Sequence, residues 1–116
     1  MEFKPDNRIS IEDVEKADIR IGTIIAAEEH VKAKKPAYRL KIDFGQLGIK
    51  NSSAQITALY DPVSLTGKQV VAVVNFPPRQ VANFYSECLV LGVYNEEHEV
   101  VLLGPSVYAG NGSPVS

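Results

Sequence analysis

The stretch DIRIGTI, residues 18–24, decides the fold, because it begins a run in which alternate residues are apolar. Ile19, Ile21 and Thr23 share one side of this run, which is the pattern of a strand. Gly22 lies inside it, and a glycine inside a strand suggests a bulge or a tight bend, as small barrels need where a strand turns a corner. The sequence therefore predicts a long, bent first strand.

A short helix is predicted immediately before this strand. Ser10 and Asp13 have the spacing of a capping box, in which the hydroxyl caps free backbone amides and the acid lies three residues later. Ile11 and Val14 then fall on one helical face. We expect a helix from about residue 11 to residue 16.

Alternating or apolar segments continue downstream and are separated by turn residues. Gly45 and Gly48 mark a hairpin turn, and residues 57–61 can turn helically until Pro62 stops them. Residues 76–79 must leave the sheet, because the two prolines cannot donate to a strand ladder. The further strands are expected at residues 38–44, 49–56, 69–75, 87–94 and 99–103.

Five or so short strands with one helix predict an all-β protein. Their lengths fit a five-stranded OB-fold β-barrel better than a sandwich, which usually needs seven strands. The 116 residues are room for a single domain over 1–116, with the short helix and a Gly-, Ser- and Pro-rich tail from Gly104 as extra terminal segments. Residues 70–74 and 89–93 are apolar on both faces, so one face needs a cover from the helix, the tail or a second subunit.

Composition narrows the class of protein. The net charge of −2 argues against a generally basic nucleic-acid binder. Cys88 is the only cysteine, so it cannot form an intrachain disulfide or supply a cysteine-based zinc site. The first residues lack a signal-peptide pattern, and no apolar run approaches the roughly 18 residues of a membrane span. We expect a soluble cytoplasmic protein.

Positive charge is concentrated in one segment, residues 30–50, which carries a charge of +5 and leaves −7 on the rest of the chain. Its one acid is Asp43, and its cations are Lys32, Lys34, Lys35, Arg39, Lys41 and Lys50. Such a patch can attract a polyanion locally, since screening limits each patch to about a Debye length. The alternative is a solvated lysine-rich loop.

Catalytic chemistry finds no support in the sequence. The HExxH, GxSxG and GxGxxG motifs are absent, and neither histidine is near Ser52 or Ser53 in sequence. His98 lies between Glu97 and Glu99, but adjacent residues of a turn rarely converge on a metal. We predict that the protein is not an enzyme and has no cofactor or metal, and that Cys88 is a buried structural thiol.

Three segments together resemble a known family. They are residues 18–24, the stretch LTGKQVVAVVN at 65–75, and Pro78-Arg79 followed by Ser86-Glu87 and the VLLGP of 101–105. In this order and spacing they resemble the OB-fold tRNA-binding domain that is appended to methionyl-tRNA synthetases and also occurs in related stand-alone proteins. The resemblance runs from about Ile11 to Tyr108. It implies a barrel with an exposed RNA-binding surface.

A narrower resemblance lies inside this one. The stretches KKPAYRLKIDFG at 34–45, NSSAQIT at 51–57 and VVNFPPRQ at 73–80 resemble the CsaA family of bacterial and archaeal export-related chaperones. That resemblance implies a homodimer, affinity for unfolded or precursor polypeptides, and a link to the protein-export machinery. It also implies that the groove corresponds to the ancestral RNA surface.

The loop of residues 79–85 departs from the tRNA-binding relatives. Those relatives have a basic, methionine-containing loop, whereas this chain has two neutral residues in place of positive charges and carries Phe84 and Tyr85. RNA affinity depends on phosphate contacts, and aromatic rings favour stacking or apolar peptide side chains. The loop favours a polypeptide-binding chaperone and leaves tRNA or structured RNA as the alternative ligand.

The predicted binding surface combines polar, aromatic and basic side chains on the middle strands and their flanking loops. For residues 51–53 the alternative is a turn or an edge strand, and for the two phenylalanines it is core packing. For Arg79 it is a structural salt bridge, with Glu87 as a candidate partner. The expected peptide- or RNA-binding residues are Lys34, Lys35, Arg39, Asn51, Ser52, Ser53, Gln55, Asn75, Phe76, Arg79, Phe84, Ser86 and Glu87.

Overall fold

A computed structural model describes residues 7–116 as a barrel of short strands with two short helices. The helices are α1 (Ile11–Glu15) and α2 (Pro62–Leu65), and a 3₁₀ turn spans Gly45–Leu47. The strands are β1 (Ile19–Glu29), β2 (Tyr38–Asp43), β3 (Ile49–Ala54), β4 (Gln69–Val73), β5 (Arg79–Val81), β6 (Phe84–Ser86), β7 (Leu89–Val90), β8 (Gly92–Tyr94) and β9 (Val100–Leu102).

Five of these strands form one antiparallel sheet in the order β3-β2-β1-β4-β7. The sheet curls until its two edge strands approach each other, because Glu87, just before β7, donates its N–H to the carbonyl of Asn51 at 2.8 Å. The result is a nearly closed barrel. The predicted all-β, OB-type five-stranded barrel is confirmed.

The core fills the barrel with alternate residues of its strands. Leu40 and Ile42 of β2, Ile24 of β1 and Val70 of β4 are fully buried together with Leu65 of α2. Their neighbours in sequence point outward, as the period of two requires. The alternation read from residues 38–44 therefore identifies the inward face of β2 correctly.

Gly22 has a different role from the predicted bulge. The register of β1 against β2 shifts between Ile24 and Ala26, so the bulge lies beyond the glycine. At Gly22 itself a Cβ would come within 2.6 Å of Ile42 Cγ2 and 2.7 Å of Phe44 Cε1. The glycine is needed because the Phe44 ring packs against the bare backbone of β1.

Substituting Gly22 by alanine should therefore lower the free energy of unfolding by about 1–3 kcal/mol, the usual cost of overpacking a core. Urea denaturation followed by circular dichroism measures this change. Ala26→Val adds bulk to the same strand at an exposed position and should change stability by less than about 0.5 kcal/mol. Equal effects of the two substitutions would contradict the packing role of Gly22.

The C-terminal tail is an ordered part of the barrel. It lies along the first half of β1, on the edge that β2 leaves unpaired. Ser113 accepts a hydrogen bond from the N–H of Ile21 at 3.0 Å, and the N–H of Val115 donates to Ile19 at 2.8 Å. The tail therefore protects an edge of the sheet.

Three local predictions are wrong in detail. Pro62 begins α2 instead of ending a helix, because Asp61 caps the helix with a 2.8 Å bond from Ser64 N–H and proline suits the first helical turn. Residues 79–86 form the hairpin β5–β6, which the prolines before it had obscured. The expected strand 87–94 is broken at Leu91, whose N–H donates to Val71 and whose carbonyl accepts from Leu103.

The N-terminal helix forms as the capping box predicts. Ser10 Oγ accepts from the N–H of Asp13 at 3.1 Å, and the Asp13 carboxylate accepts from the N–H of Ser10 at 3.1 Å. The helix buries none of its residues, so its apolar side chains Ile11 and Val14 face solvent. Within residues 7–116, no helix is both long enough and apolar enough to cross a membrane.

Candidate functional site

An open groove of about 1130 Å³ runs along the seam where β3 approaches β7 and β8. The loop of residues 32–37 lines one end of it, and residues 52–58 line one wall. Residues 88–90, 92–94 and 98–100 contribute the facing surface, with Phe76 and Arg79 at its margin. A concave surface with both apolar and polar walls is the usual form of a binding site.

Five of the predicted polar site residues close the barrel at the end of this groove. The carboxylate of Glu87 accepts from the N–H of Asn51 at 2.9 Å, and Ser86 Oγ accepts from the N–H of Ser53 at 3.1 Å. Ser52 Oγ donates to the carbonyl of Cys88 at 3.1 Å. The carboxylate of Glu87 is thus bonded to β3 and is not paired with Arg79.

The cations of the groove are unpaired. They are all exposed and make no ion pair within residues 7–116; they are Lys32, Lys34, Lys35 and Arg79. The one carboxylate among the described lining residues belongs to Glu99 and accepts from Asn95 Nδ2 at 3.0 Å. The groove therefore carries net positive charge, although the whole protein is acidic.

Apolar side chains are exposed on the groove as well. Phe76, Leu89, Val93 and Tyr94 have exposed fractions of 51%, 47%, 50% and 72%. Phe76 was predicted as a site residue, whereas the other three were not. The sequence signal for Leu89 and Val93 was the segment 89–93 that is apolar on both faces, because only one face can point into the barrel. Tyr94 lies just outside that segment.

Phe84 and Arg39 are not among the residues that line the groove. The Phe84 ring is half-buried, with its centroid 5.5 Å from the His30 ring and 5.7 Å from the Arg39 guanidinium carbon. Arg39 is also ion-paired with Glu28. Alternation along β6 turns Phe84 and Ser86 toward β3, whereas Tyr85 is 59% exposed. The Phe84 ring therefore packs against side chains of this chain, the alternative noted for it, and lies outside the residues that line the groove.

Replacing Phe84 by alanine should lower the free energy of unfolding by about 2 kcal/mol, because a half-buried ring and its cation contact are lost. Thermal melting measures the loss. Tyr85→Ala in the same strand is the matched control and should cost less than about 1 kcal/mol, since that ring faces solvent. A Phe84→Ala variant of unchanged stability would contradict this placement.

Asn75 and Gln55 lie in different surroundings. The Asn75 amide donates to the carbonyl of Lys16 at 2.8 Å and accepts from the N–H of Asp18 at 3.0 Å. It ties the segment after α1 to the end of β4 and does not line the groove. Gln55 is exposed on the groove wall, directly after β3.

Two buried groups near the groove had been noted in sequence without a binding role. His30 is 4% exposed, and its Nδ1 lies 3.0 Å from Ser53 Oγ. Burial raises the pKa of the Cys88 thiol to about 11, so the thiol stays protonated at neutral pH. Residues 7–116 contain no cluster of three or more side chains suited to holding a metal ion.

Comparison with known proteins places this fold in a family. The family described as "Putative tRNA binding domain" matches residues 19–114. The methionine–tRNA ligase of Chlorobium chlorochromatii is 34% identical over 115 residues, which are 99% of this chain and 16% of the ligase. That of Leptospira interrogans serovar Lai is 40% identical over 89 residues, 75% of this chain and 12% of the ligase. The chain thus spans about one sixth or less of these curated relatives.

Solved structures of similar length match over nearly the whole chain. The chaperone CsaA of Bacillus anthracis is 54% identical with a TM-score of 0.89, covering 94% of this chain and 99% of that one. The CsaA chaperone protein of Picrophilus torridus is 47% identical with a TM-score of 0.88, covering 94% and 100%. These matches confirm both resemblances: the chain belongs to the tRNA-binding domain family, and within it to the group of the CsaA proteins.

Proposed function

We propose that this protein is a chaperone that binds unfolded or precursor polypeptides in the groove along the seam. The observation that carries the proposal is that Phe76, Leu89 and Val93, each about half exposed, share one concave surface. Exposed apolar side chains grouped in a concavity mark a site for apolar partner groups. Similarity to the CsaA chaperones supports this function.

The proposed activity is binding without catalysis. Ser52, the buried hydroxyl of the groove wall, donates to a backbone carbonyl, and the Cys88 thiol is protonated at neutral pH. Neither group is activated as a nucleophile. We place the protein in the cytoplasm, without a cofactor, where it would deliver precursor polypeptides to the export machinery.

A second candidate ligand is tRNA or another structured RNA. The observation that favours it is the set of unpaired cations on a groove with one carboxylate among its described residues. These cations are Lys32, Lys34, Lys35 and Arg79. The match of this chain to the tRNA-binding domain family also supports RNA as a ligand. Cations of this kind bind phosphates and make affinity depend steeply on salt.

One competition experiment separates the two ligands. Labelled tRNA and a labelled, permanently unfolded polypeptide are titrated against the protein, alone and together, across a salt series. RNA binding should weaken steeply with salt, whereas polypeptide binding through apolar contacts should change little. Binding of RNA alone, with no measurable affinity for the unfolded polypeptide, would reject the chaperone function in favour of the RNA-binding one.

Lys34 and Lys35 give the sharper test of the RNA alternative. Changing both to glutamine should flatten the slope of log affinity against log salt by about two units, because two phosphate contacts are removed. Lys68→Gln is the control, since Lys68 lies outside the groove, over the Tyr60 ring. An unchanged slope in the double variant would show that these lysines do not contact RNA phosphates and serve only the solubility of the protein.

We also propose that the protein is a homodimer. Both terminal regions expose apolar side chains that nothing in residues 7–116 covers: Ile9, Ile11, Val14, Val107 and Tyr108 are 53–77% exposed. Such surfaces are typical of subunit interfaces. A twofold pair would bury at least roughly 1,000 Å² in total.

Light scattering at micromolar concentration should therefore give about twice the subunit mass of 12.7 kDa. Val14→Glu, which adds a charge to the exposed face of α1, should shift the particle toward the subunit mass. Glu12→Gln, elsewhere on the same exposed helix, is the control. A wild-type particle of subunit mass would exclude the dimer.

A further inference from the structure

One edge of β3 faces the groove and has no neighbouring strand in the sheet. Its backbone N–H groups are instead bonded by the side chains of Glu87 and Ser86. In the register with β2, Ser52 pairs with Leu40 and Asn51 with Lys41. Backbone groups alternate between the two sides of a strand, and the Asn51–Glu87 bonds show that Asn51 points its N–H and carbonyl away from β2. Ser53, at the same parity within β3, points its backbone groups to the same side, and Gln55 follows directly after the strand.

The backbone groups of this edge have hydrogen-bond partners only as far as the N–H of Ser53. Glu87 takes both backbone groups of Asn51, and Ser86 Oγ accepts from the N–H of Ser53. The carbonyl of Ser53 and the N–H of Gln55 have no hydrogen-bond partner within residues 7–116. Both residues line the groove, so one acceptor of the strand edge and one donor just beyond its end lie unbonded beside the groove.

We propose that an extended, acidic segment of the client polypeptide adds to the barrel as a strand, bonded to the carbonyl of Ser53 and the N–H of Gln55. The inference rests on the proposed chaperone function and specifies how its groove binds. An added strand would complete the seam beyond the point where Glu87 closes it. Its main-chain bonds are independent of side chains, which suits a protein that must accept many sequences.

The residues that line the groove also determine which side chains of the added segment would be preferred. Alternate residues of a strand point to opposite faces, so one set can lie against Leu89 and Val93 while the other set reaches the rim. The unpaired cations of the groove are Lys32, Lys34, Lys35 and Arg79. Charge complementarity therefore favours carboxylates alternating with apolar side chains. RNA offers the negative charge but not the alternating donors and acceptors of a strand.

Substitutions of Gln55 can test whether its backbone N–H binds the peptide, and they provide a matched control. Gln55→Pro removes the N–H, whereas Gln55→Ala removes the side chain and keeps the N–H. The probe is a labelled ten-residue peptide of alternating valine and glutamate, and binding is measured by fluorescence anisotropy on variants whose melting temperatures are recorded. Gln55→Pro should weaken binding at least tenfold, and Gln55→Ala less than threefold. Equal losses in both would overturn the proposal in favour of a side-chain contact.

A second arm uses the unmodified protein, so it does not depend on how the proline variant folds. Two versions of the peptide carry N-methyl groups, one on every valine and the other on every glutamate. A strand presents only alternate N–H groups to its neighbour, so one version should lose at least tenfold in affinity and the other little. Loss in both versions, or in neither, would overturn strand addition.

The remaining comparisons separate this inference from the proposed function. Replacing glutamate by lysine in the peptide should weaken binding at least tenfold, and tighter binding would refute the charge preference. An unfolded polypeptide that binds without dependence on N-methylation would reject strand addition and leave the chaperone function standing. If no polypeptide binds and labelled tRNA does, the chaperone function itself fails.

Discussion

Closure of the barrel depends on hydrogen bonds between β3 and residues 86–88. In the central pair, the N–H of Glu87 donates to the carbonyl of Asn51, and the carboxylate of Glu87 accepts from the N–H of Asn51. A strand laid fully against β3 would satisfy that edge along its length and leave no groove. Because a carboxylate and the Ser86 hydroxyl stand in for a strand, the seam is closed at one end and open at the other. The groove follows from incomplete closure of the fold, so the residues that close the barrel also border the candidate site.

The strands of the barrel were predicted correctly where apolar and polar residues alternate regularly. They were predicted less well where prolines and turn residues interrupt that alternation. β1 and β2 follow from their period of two, and the capping box located α1. The hairpin after the two prolines was missed, because its strands have three residues each, too few to show a period. Gly22 was identified as special for the wrong reason, since a sequence shows that a glycine is present but not which ring packs against it.

The candidate site was predicted only in part, because the sequence does not show which groups become neighbours in the folded chain. Residue type indicates that a side chain can donate or accept, but partners are set by the tertiary structure. Asn75 and Glu87 were chosen as polar groups for a ligand, whereas their bonds go to the backbone of this chain. Phe84 was chosen as an exposed ring, yet alternation along β6 turns it onto His30 and Arg39. Lys34, Lys35 and Arg79 do lie in the groove, because long charged side chains resist burial.

The two candidate ligands would use different parts of one surface, so a single fold could bind either of them. Phosphate binding needs only cations, and four unpaired ones line the groove: Lys32, Lys34, Lys35 and Arg79. Polypeptide binding also needs apolar walls and main-chain partners, which Leu89, Val93 and the free edge after Ser53 supply. A change from RNA to polypeptide therefore requires no new fold. It requires that aromatic and aliphatic side chains come to outweigh the cations along a seam that the barrel already leaves open.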